Sequence, residues 1–177
     1  MRRVNVRGSS GSGKTTTSQR LAGLLEVPFI ELDALHHGPN WSEPTAEVFR
    51  TRVEAAMAEA PDGWVIDGGY HSKLEDLVLE RADTLVWLDL PLRVPLRRLW
   101  RRTWRRIIRR EELWAGNRES IRTAFLIKDS LFAWTIRRHR PARRALAERI
   151  AGHPHLRVVH LRSAMDVERF LESVKPS

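Results

Sequence analysis

Gly8-Ser9-Ser10-Gly11-Ser12-Gly13-Lys14-Thr15 is the stretch from which the fold of this chain is read. It fits the pattern G-x-x-x-x-G-K-[ST], and its setting agrees with the pattern. Val4 and Val6 alternate in a short strand before it, and Leu21, Leu24 and Leu25 recur at helical spacing over Thr16 to Leu25 after it. Glycine tolerates dihedrals that other residues avoid, so such a loop turns several backbone N–H groups inward, and the following helix start adds a favourable dipole. The expected ligand is ATP with Mg²⁺. Gly8, Ser9, Ser10, Gly11, Ser12, Gly13, Lys14, Thr15 and Thr16 would surround the phosphates, Lys14 bridging the β- and γ-groups and the Thr15 hydroxyl ligating Mg²⁺. Asn5 and Arg7 are out of keeping, because they make the preceding strand more polar than a central buried strand normally is.

Downstream of the loop, short apolar runs alternate with helical patterns. Val27 to Leu32, Trp64 to Ile66, Thr84 to Leu90 and Leu156 to Leu161 read as strands. Thr45 to Ala60, Leu74 to Ala82, Leu96 to Ile108, a segment from Ala124 to Ile136, a helix running from the Arg140-Pro141 junction to Ile150, and Ala164 to Val174 read as helices. Parallel neighbours need crossover connections, so five strands alternating with helices predict an α/β fold of three layers, a parallel sheet covered on both faces. Ligands in such sheets bind beyond the strand carboxyl ends, where the Gly8 loop, Asp33, Asp67 and Asp89 all fall. One domain is expected, with a core over about residues 1–95 and 141–177 and an inserted lid over about 96–140.

Phosphoryl transfer needs a carboxylate that organises the metal and a group that orients or deprotonates the acceptor. Asp67 closes the run Trp64-Val65-Ile66-Asp67 and suits the metal role through water, with Gly68 and Gly69 letting the backbone approach a ligand. Asp33 closes the second strand and suits the proton role. Each would otherwise be an ordinary strand-end or cap residue, and Asp89, with Pro91 close behind, reads as a cap or turn. His36, His37, Trp41, Tyr70, His71 and Lys73 lie in the loops after these acids and together suit an acceptor pocket, with His36, Trp41 and Tyr70 as substrate contacts. Arg98, Arg102 and Arg106 repeat every four residues and form one stripe on a very basic amphipathic helix, where arginine forks suit phosphate oxygens. Arg118 and Arg138 are further lid candidates, and Trp100, Trp104, Trp114 and Trp134 are expected to pack the lid.

Composition bounds the alternatives. The 177 residues include 31 Lys and Arg against 22 acids, a net charge of +9 that favours an anionic partner such as nucleotide or nucleic acid. The absence of cysteine excludes disulfides, thiolate nucleophiles and zinc–thiolate sites. MRRVNVRG contains no signal-like apolar run, and no stretch approaches the roughly 18 apolar residues of a membrane span, so a cytoplasmic protein without a membrane partner is expected.

The segments GSSGSGKTT from Gly8, ELDALHHGPNW from Glu31, WVIDGGY from Trp64, ADTLVWLDLPLRVPLRR from Ala82, and Trp114 to Glu119 together resemble the adenylate-kinase-like P-loop kinases. Within that group they are similar to the small bacterial topology modulation (FlaR-like) kinases. The resemblance implies a five-stranded parallel sheet of nucleoside monophosphate/shikimate kinase type, a helical arginine-rich lid after the fourth strand, and an adenine-contacting loop near Arg162 to Ala164. Adenylate kinases carry acceptor-binding arginines after the second strand and in an Asp-Gly-Phe-Pro-Arg motif after the third. The matching stretches here, LDALHH and DGGYH, contain none, which counts against AMP. The paired glycines are closer to those of shikimate- and gluconate-type kinases, so the implied activity is Mg²⁺-ATP-dependent transfer to a small hydroxylated molecule or a nucleotide. No Asn-Lys-x-Asp motif of a GTPase is present. Two alternatives stay open: a nucleic-acid-associated ATP-binding protein that grips backbone phosphates through the arginine helix, and a nucleotide-sensing regulator without transfer activity.

Overall fold

In the computed structural model, which describes residues 1–109 and 131–174, strand β1 (Arg3–Gly8) sits at the centre of a five-stranded sheet. The others are β2 (Phe29–Glu31), β3 (Trp64–Asp67), β4 (Thr84–Leu88) and β5 (Arg157–Leu161), in the order β2-β3-β1-β4-β5. Every neighbouring pair is parallel, as crossover helices require. The helices are α1 (Lys14–Leu25), α2 (Leu32–His36), α3 (Ala46–Ala58), α4 (His71–Leu74), α5 (Leu77–Arg81), α6 (Arg93–Arg109), α7 (Leu131–Gly152) and α8 (Ala164–Ser173). No helix among the described residues is long and apolar enough to cross a membrane.

Strand alternation divides the core into two layers. Val4, Val6, Val65, Val86 and Leu88 face α1 and α8, packing with Leu21, Leu25, Val167 and Leu171. Ile30, Trp64, Ile66 and Leu85 face the other way, against Phe49, Val53 and Met57 of α3 and Leu77 to Leu79 of α5. Each such side chain contributes about 1.5–3 kcal/mol when fully buried. Thr45 fixes the start of α3 by accepting a hydrogen bond from the Val48 N–H, and Ser163 and Asp166 form a reciprocal capping box at α8.

Three local expectations change. Asp33 lies in the first turn of the short helix α2 rather than at the end of the second strand, because Leu32 and His36 bury one side of a single helical turn. The helix expected over Leu74 to Ala82 breaks into α4 and α5 at Glu75, whose φ is 51°. Helix α7 runs through Pro141, where a junction was expected. Proline removes one rung of the helix ladder, and the exposure of this stretch lets water take up the carbonyl left over.

The two polar residues of β1 also find their reason. Although β1 is central, Asn5 is fully buried with its Nδ2 donating to the carbonyls of Ile66 and Gly68, each at 3.1 Å. Its Oδ1 accepts from Arg7 Nε at 2.6 Å. Asn5 thus ties β1 to the turn that follows β3 and holds the Arg7 guanidinium in one orientation.

Asp89, read from sequence as a cap or turn, is instead the hub of a polar cluster at the carboxyl edge of β4 and β5. Arg143 of α7 forks onto it, with Nη2 2.7 Å from Oδ2, and His160 Nε2 lies 2.9 Å from the same oxygen. The His160 ring stacks on Trp87 at 4.3 Å. Burial pushes the Asp89 carboxyl up, but hydrogen bonds from Arg143 and His160 outweigh it and hold it below the ordinary value. A carboxylate with a depressed folded pKa stabilises the fold above its unfolded pKa and loses that contribution as pH falls through the folded one. Asp89→Asn is expected to cost about 2 kcal/mol at neutral pH, because the arginine partner is half exposed. Below about pH 4 the thermal midpoints of the two proteins should converge, which melting curves across the acid range would check.

Candidate active site

The phosphate loop is shaped by its glycines and roofed by α6. Gly11 has φ 79°, a left-handed conformation that the turn needs, and a side chain there would run into the Pro95 carbonyl and Leu99 of α6. Ser12 N–H donates to the Ser9 carbonyl at 3.1 Å, closing the turn, and Gly13 caps the start of α1. Lys14 Nζ folds back onto the Ser9 carbonyl at 3.3 Å, leaving it close to the loop it would serve. The hydroxyl oxygens of Ser9 and Ser12 are buried without a hydrogen-bond partner. Orphaned groups of this kind, beside the N-terminus of α1, fit a phosphate chain.

From the roof, Arg98 Nη1 donates to the Ser12 carbonyl at 2.9 Å and lies alongside Gly13. The basic helix is therefore turned toward the loop at its first member. Arg102, one helical turn on, is half buried. The side chain of Arg106 and all of Arg118 lie outside the described residues, as do Trp114 and the Trp134 side chain. Trp100 and Trp104 meet edge to face at 5.8 Å, but they stand 51% and 36% exposed rather than packed inside. Arg138 is exposed on α7.

Beneath the loop, Thr15 Oγ1 donates to Asp67 Oδ2 at 2.6 Å. Asp67 is 5% exposed and its Oδ1 has no partner. Burial raises its pKa above the ordinary carboxylate value, opposed by Lys14 and the Thr15 hydrogen bond and aided by Asp33. Mg²⁺ prefers an octahedron of oxygens, many of them water or phosphate, with one or two carboxylates. Thr15 and the orphaned Asp67 oxygen fit that demand. No group of three His, Asp or Glu among the described residues would hold a metal by protein ligands alone.

The acids reach one neighbourhood, since the charge of Asp33 raises the pKa of Asp67, whereas Asp89 is committed to Arg143 and His160. Tyr70 Oη donates to Asp33 Oδ1 at 2.6 Å, and burial followed by Asp33's charge drives the phenol pKa upward, so it stays a donor. His37 Nε2 lies 3.4 Å from the same hydroxyl, with the exposed Trp41 ring 5.4 Å from His37. His36 is 3% exposed, between Phe49 and Tyr70, and burial with the neighbouring Lys73 lowers its pKa. It is neutral at pH 7 and accepts from Lys73 Nζ at 2.9 Å, so it props the Tyr70 ring from behind rather than presenting a polar edge. Lys73 also binds Glu43 at 2.9 Å. Gly68 and Gly69 complete the turn, and the Arg7 guanidinium packs on Gly69 where a side chain's Cβ would stand, so a larger residue there would have to displace it. Sequence reading singled out Arg7 only as an anomaly of its strand; its contact with Gly69 joins residues 62 apart and leaves no local signal. Arg162 is exposed after β5, its N–H donating to Asp166 Oδ2 at 2.9 Å. Thr16 is exposed in the first turn of α1.

Gly11→Ala should cost about 1–3 kcal/mol of stability through backbone strain and should abolish nucleotide binding, as read by thermal melting and calorimetry. Asp67→Asn separates stability from function. A carboxylate whose folded pKa is raised lowers stability as pH rises from its unfolded value through the folded one, so the ionised group is a net cost at neutral pH. The variant should melt a few degrees higher than wild type at pH 7 and lose Mg²⁺-dependent ATP turnover.

Comparison with known proteins agrees with this geometry. The shikimate kinase family profile matches residues 10–141. Among solved structures, shikimate kinase from Bacteroides thetaiotaomicron aligns with a TM-score of 0.52 at 19% identity, over 96% of this chain and 94% of that one. Shikimate kinase from Acinetobacter baumannii in complex with shikimate aligns with a TM-score of 0.57 at 16% identity, over 98% and 90%. At these identities the structural likeness establishes the fold. The search of curated proteins finds no match. With a family match over most of its length and the same five-stranded parallel architecture, the chain belongs to the shikimate kinase family and is an ATP-dependent kinase of the P-loop type.

Proposed function

We propose that this chain transfers the γ-phosphate of Mg²⁺-ATP to a hydroxyl of a small molecule bound between Asp33, Tyr70 and the Gly68-Gly69 turn. The observation that supports this most is the 2.6 Å hydrogen bond from Thr15 to the buried Asp67 directly beneath the glycine loop. Lys14, Arg98 and Arg102 neutralise charge on the phosphates, with Arg106, Arg118 and Arg162 as further nucleotide contacts. Bound Mg²⁺, held by Thr15 and by Asp67, would supply further neutralisation of the β- and γ-oxygens. The acceptor oxygen forms a bond to the γ-phosphorus as the bond from phosphorus to the β–γ bridging oxygen breaks, and ADP leaves with that electron pair. Asp33 takes the acceptor proton. Tyr70, permanently a donor, orients the Asp33 carboxylate by occupying one of its oxygens.

Within the family, the texts ELDALHHGPNW and WVIDGGY resemble those of the topology modulation (FlaR-like) group, which supports membership of that subgroup. Shikimate is the first acceptor to test, because it is the ligand in the Acinetobacter relative. Exposed Arg97 and Arg101 on α6 favour a second reading, nucleic-acid association. In that case DNA binding should weaken with salt and with replacement of Arg101, Arg105 and Arg109.

Purified protein should release ADP from Mg²⁺-ATP only when a suitable acceptor is present, and a screen of shikimate, gluconate, nucleosides and nucleoside monophosphates would identify it. Lys14→Ala should weaken ATP binding about 100-fold, the loss of a charge-assisted contact to two phosphates. Equal binding by the variant would overturn the kinase reading.

A further inference from the structure

Helix α6 has two sides, and the glycine loop uses one of them. Pro95, Leu99 and Thr103 are buried, and Pro95 and Leu99 stand against Gly11. The other side carries two rows that repeat every four residues, Trp100, Trp104 and Ile108 in one and Arg93, Arg97 and Arg101 in the other. Trp100 is 51% exposed and Ile108 75%, the most exposed large apolar side chain among the described residues. Arg93, Arg97 and Arg101 are exposed as well, and no carboxylate among the described residues pairs with them. With Val94 and Arg98 they line a cleft of about 460 Å³. The helix has eight arginines in 17 residues and no acid.

Such a face suits an anionic bilayer. Tryptophan and an aliphatic residue set among arginines are the composition of a helix that lies in a membrane interface. The indoles and the isoleucine enter the layer beneath the headgroups, and the long arginine stems let the guanidiniums reach back to lipid phosphates. The helix is about 25 Å long, enough for both rows to meet a flat surface together. Nucleic acid fits less well. Its phosphates would engage the arginines, but Ile108 has no role on a phosphate backbone, and Trp100 and Trp104, set at 63° to each other, offer no parallel faces to successive bases. The expectation of no membrane partner came from the lack of a spanning run, and lying on a bilayer requires an amphipathic face instead.

We propose that the outer face of α6 docks the protein on an anionic lipid surface, with Trp100, Trp104 and Ile108 inserted at the interface and Arg93, Arg97 and Arg101 on lipid phosphates. The opposite face of the same helix roofs the glycine loop, so the docked helix lies between the bilayer and that loop. The assignment is independent of the phosphate acceptor and of transfer itself.

The test is flotation of the full chain with lipid vesicles, without nucleotide. Vesicles containing about one-third phosphatidylglycerol should carry the protein, pure phosphatidylcholine should not, and salt should weaken the binding. Arg97→Gln combined with Arg101→Gln should weaken it about 25-fold, at roughly fivefold for each arginine. Ile108→Ser removes no charge and should weaken it about tenfold. These positions are exposed, so thermal melting of the variants should match wild type. The chain has no cysteine, so Ile108→Cys accepts a single environment-sensitive dye, whose emission should shift to the blue on anionic vesicles. The same dye on Glu59→Cys, exposed at the end of α3, should not respond. No flotation with anionic vesicles, flotation that Ile108→Ser leaves unchanged, or an unshifted dye at position 108 would overturn the assignment. A single-stranded oligonucleotide that binds where vesicles do not, and binds Ile108→Ser as tightly as wild type, would overturn it in favour of nucleic acid.

Discussion

The parallel register that sets Val6 beside Asp67 is the constraint on which the site depends. Strand β1 runs two residues further into the glycine loop, and β3 stops at Asp67, so the two strand ends bring the loop and the carboxylate together. The Thr15 hydroxyl then meets Asp67 without any long side chain having to reach. A slip of one residue would turn Asp67 to the opposite face and take its carboxylate away from Thr15 and the glycine loop. The register is held by the two hydrophobic layers, and Asn5 adds a polar latch from β1 to the turn after β3.

Around that constraint the protein accumulates features that cost stability. Asp67 is a buried carboxylate with an unpartnered oxygen, Arg7 a buried guanidinium with an unpartnered nitrogen, and Ser9 and Ser12 have buried hydroxyls with none. Trp41 and Tyr70 adopt φ of 58° and 43°, a left-handed conformation that bulky residues rarely take. Part of this strain and unsatisfied polarity lies in and beside the glycine loop, while the core layers behind the sheet are apolar and closely packed. That distribution is characteristic of a site organised before its ligands arrive, in which binding supplies the missing partners.

The charge of the molecule is spent unevenly. A net +9 and an arginine-rich helix suggest a diffuse basic surface, yet among the described residues the cations with a hydrogen bond to the phosphate loop are Lys14 from the loop itself and Arg98 from the first turns of α6. Arg143 is committed to Asp89 and Arg149 to Asp76. The family relationship accounts for the donor half of this arrangement. On the other side of the Gly68-Gly69 turn, Asp33 is held by Tyr70 and the Arg7 guanidinium lies on Gly69.

Local chemistry made much of this legible from sequence. The glycine loop with its lysine and threonine, the alternation of strands with helices, and acids at the ends of β2 and β3 are short-range patterns, set by dihedral freedom and by periods of two and 3.6 residues. Sequence therefore determined the α/β class and the strand–loop–helix setting of the glycine loop. It placed Asp89 among the turn residues and read Asn5 and Arg7 as irregularities, because their partners lie far along the chain: Asp89 with Arg143 and His160, Asn5 with Ile66 and Gly68, Arg7 with Gly69. Tertiary structure alone decided that the basic helix roofs the loop through Pro95, Arg98 and Leu99, and that His36 supports Tyr70 instead of facing outward. The reason is physical: a polar side chain's role is fixed by which distant group satisfies it once the core has closed, and packing, not neighbouring sequence, selects that group.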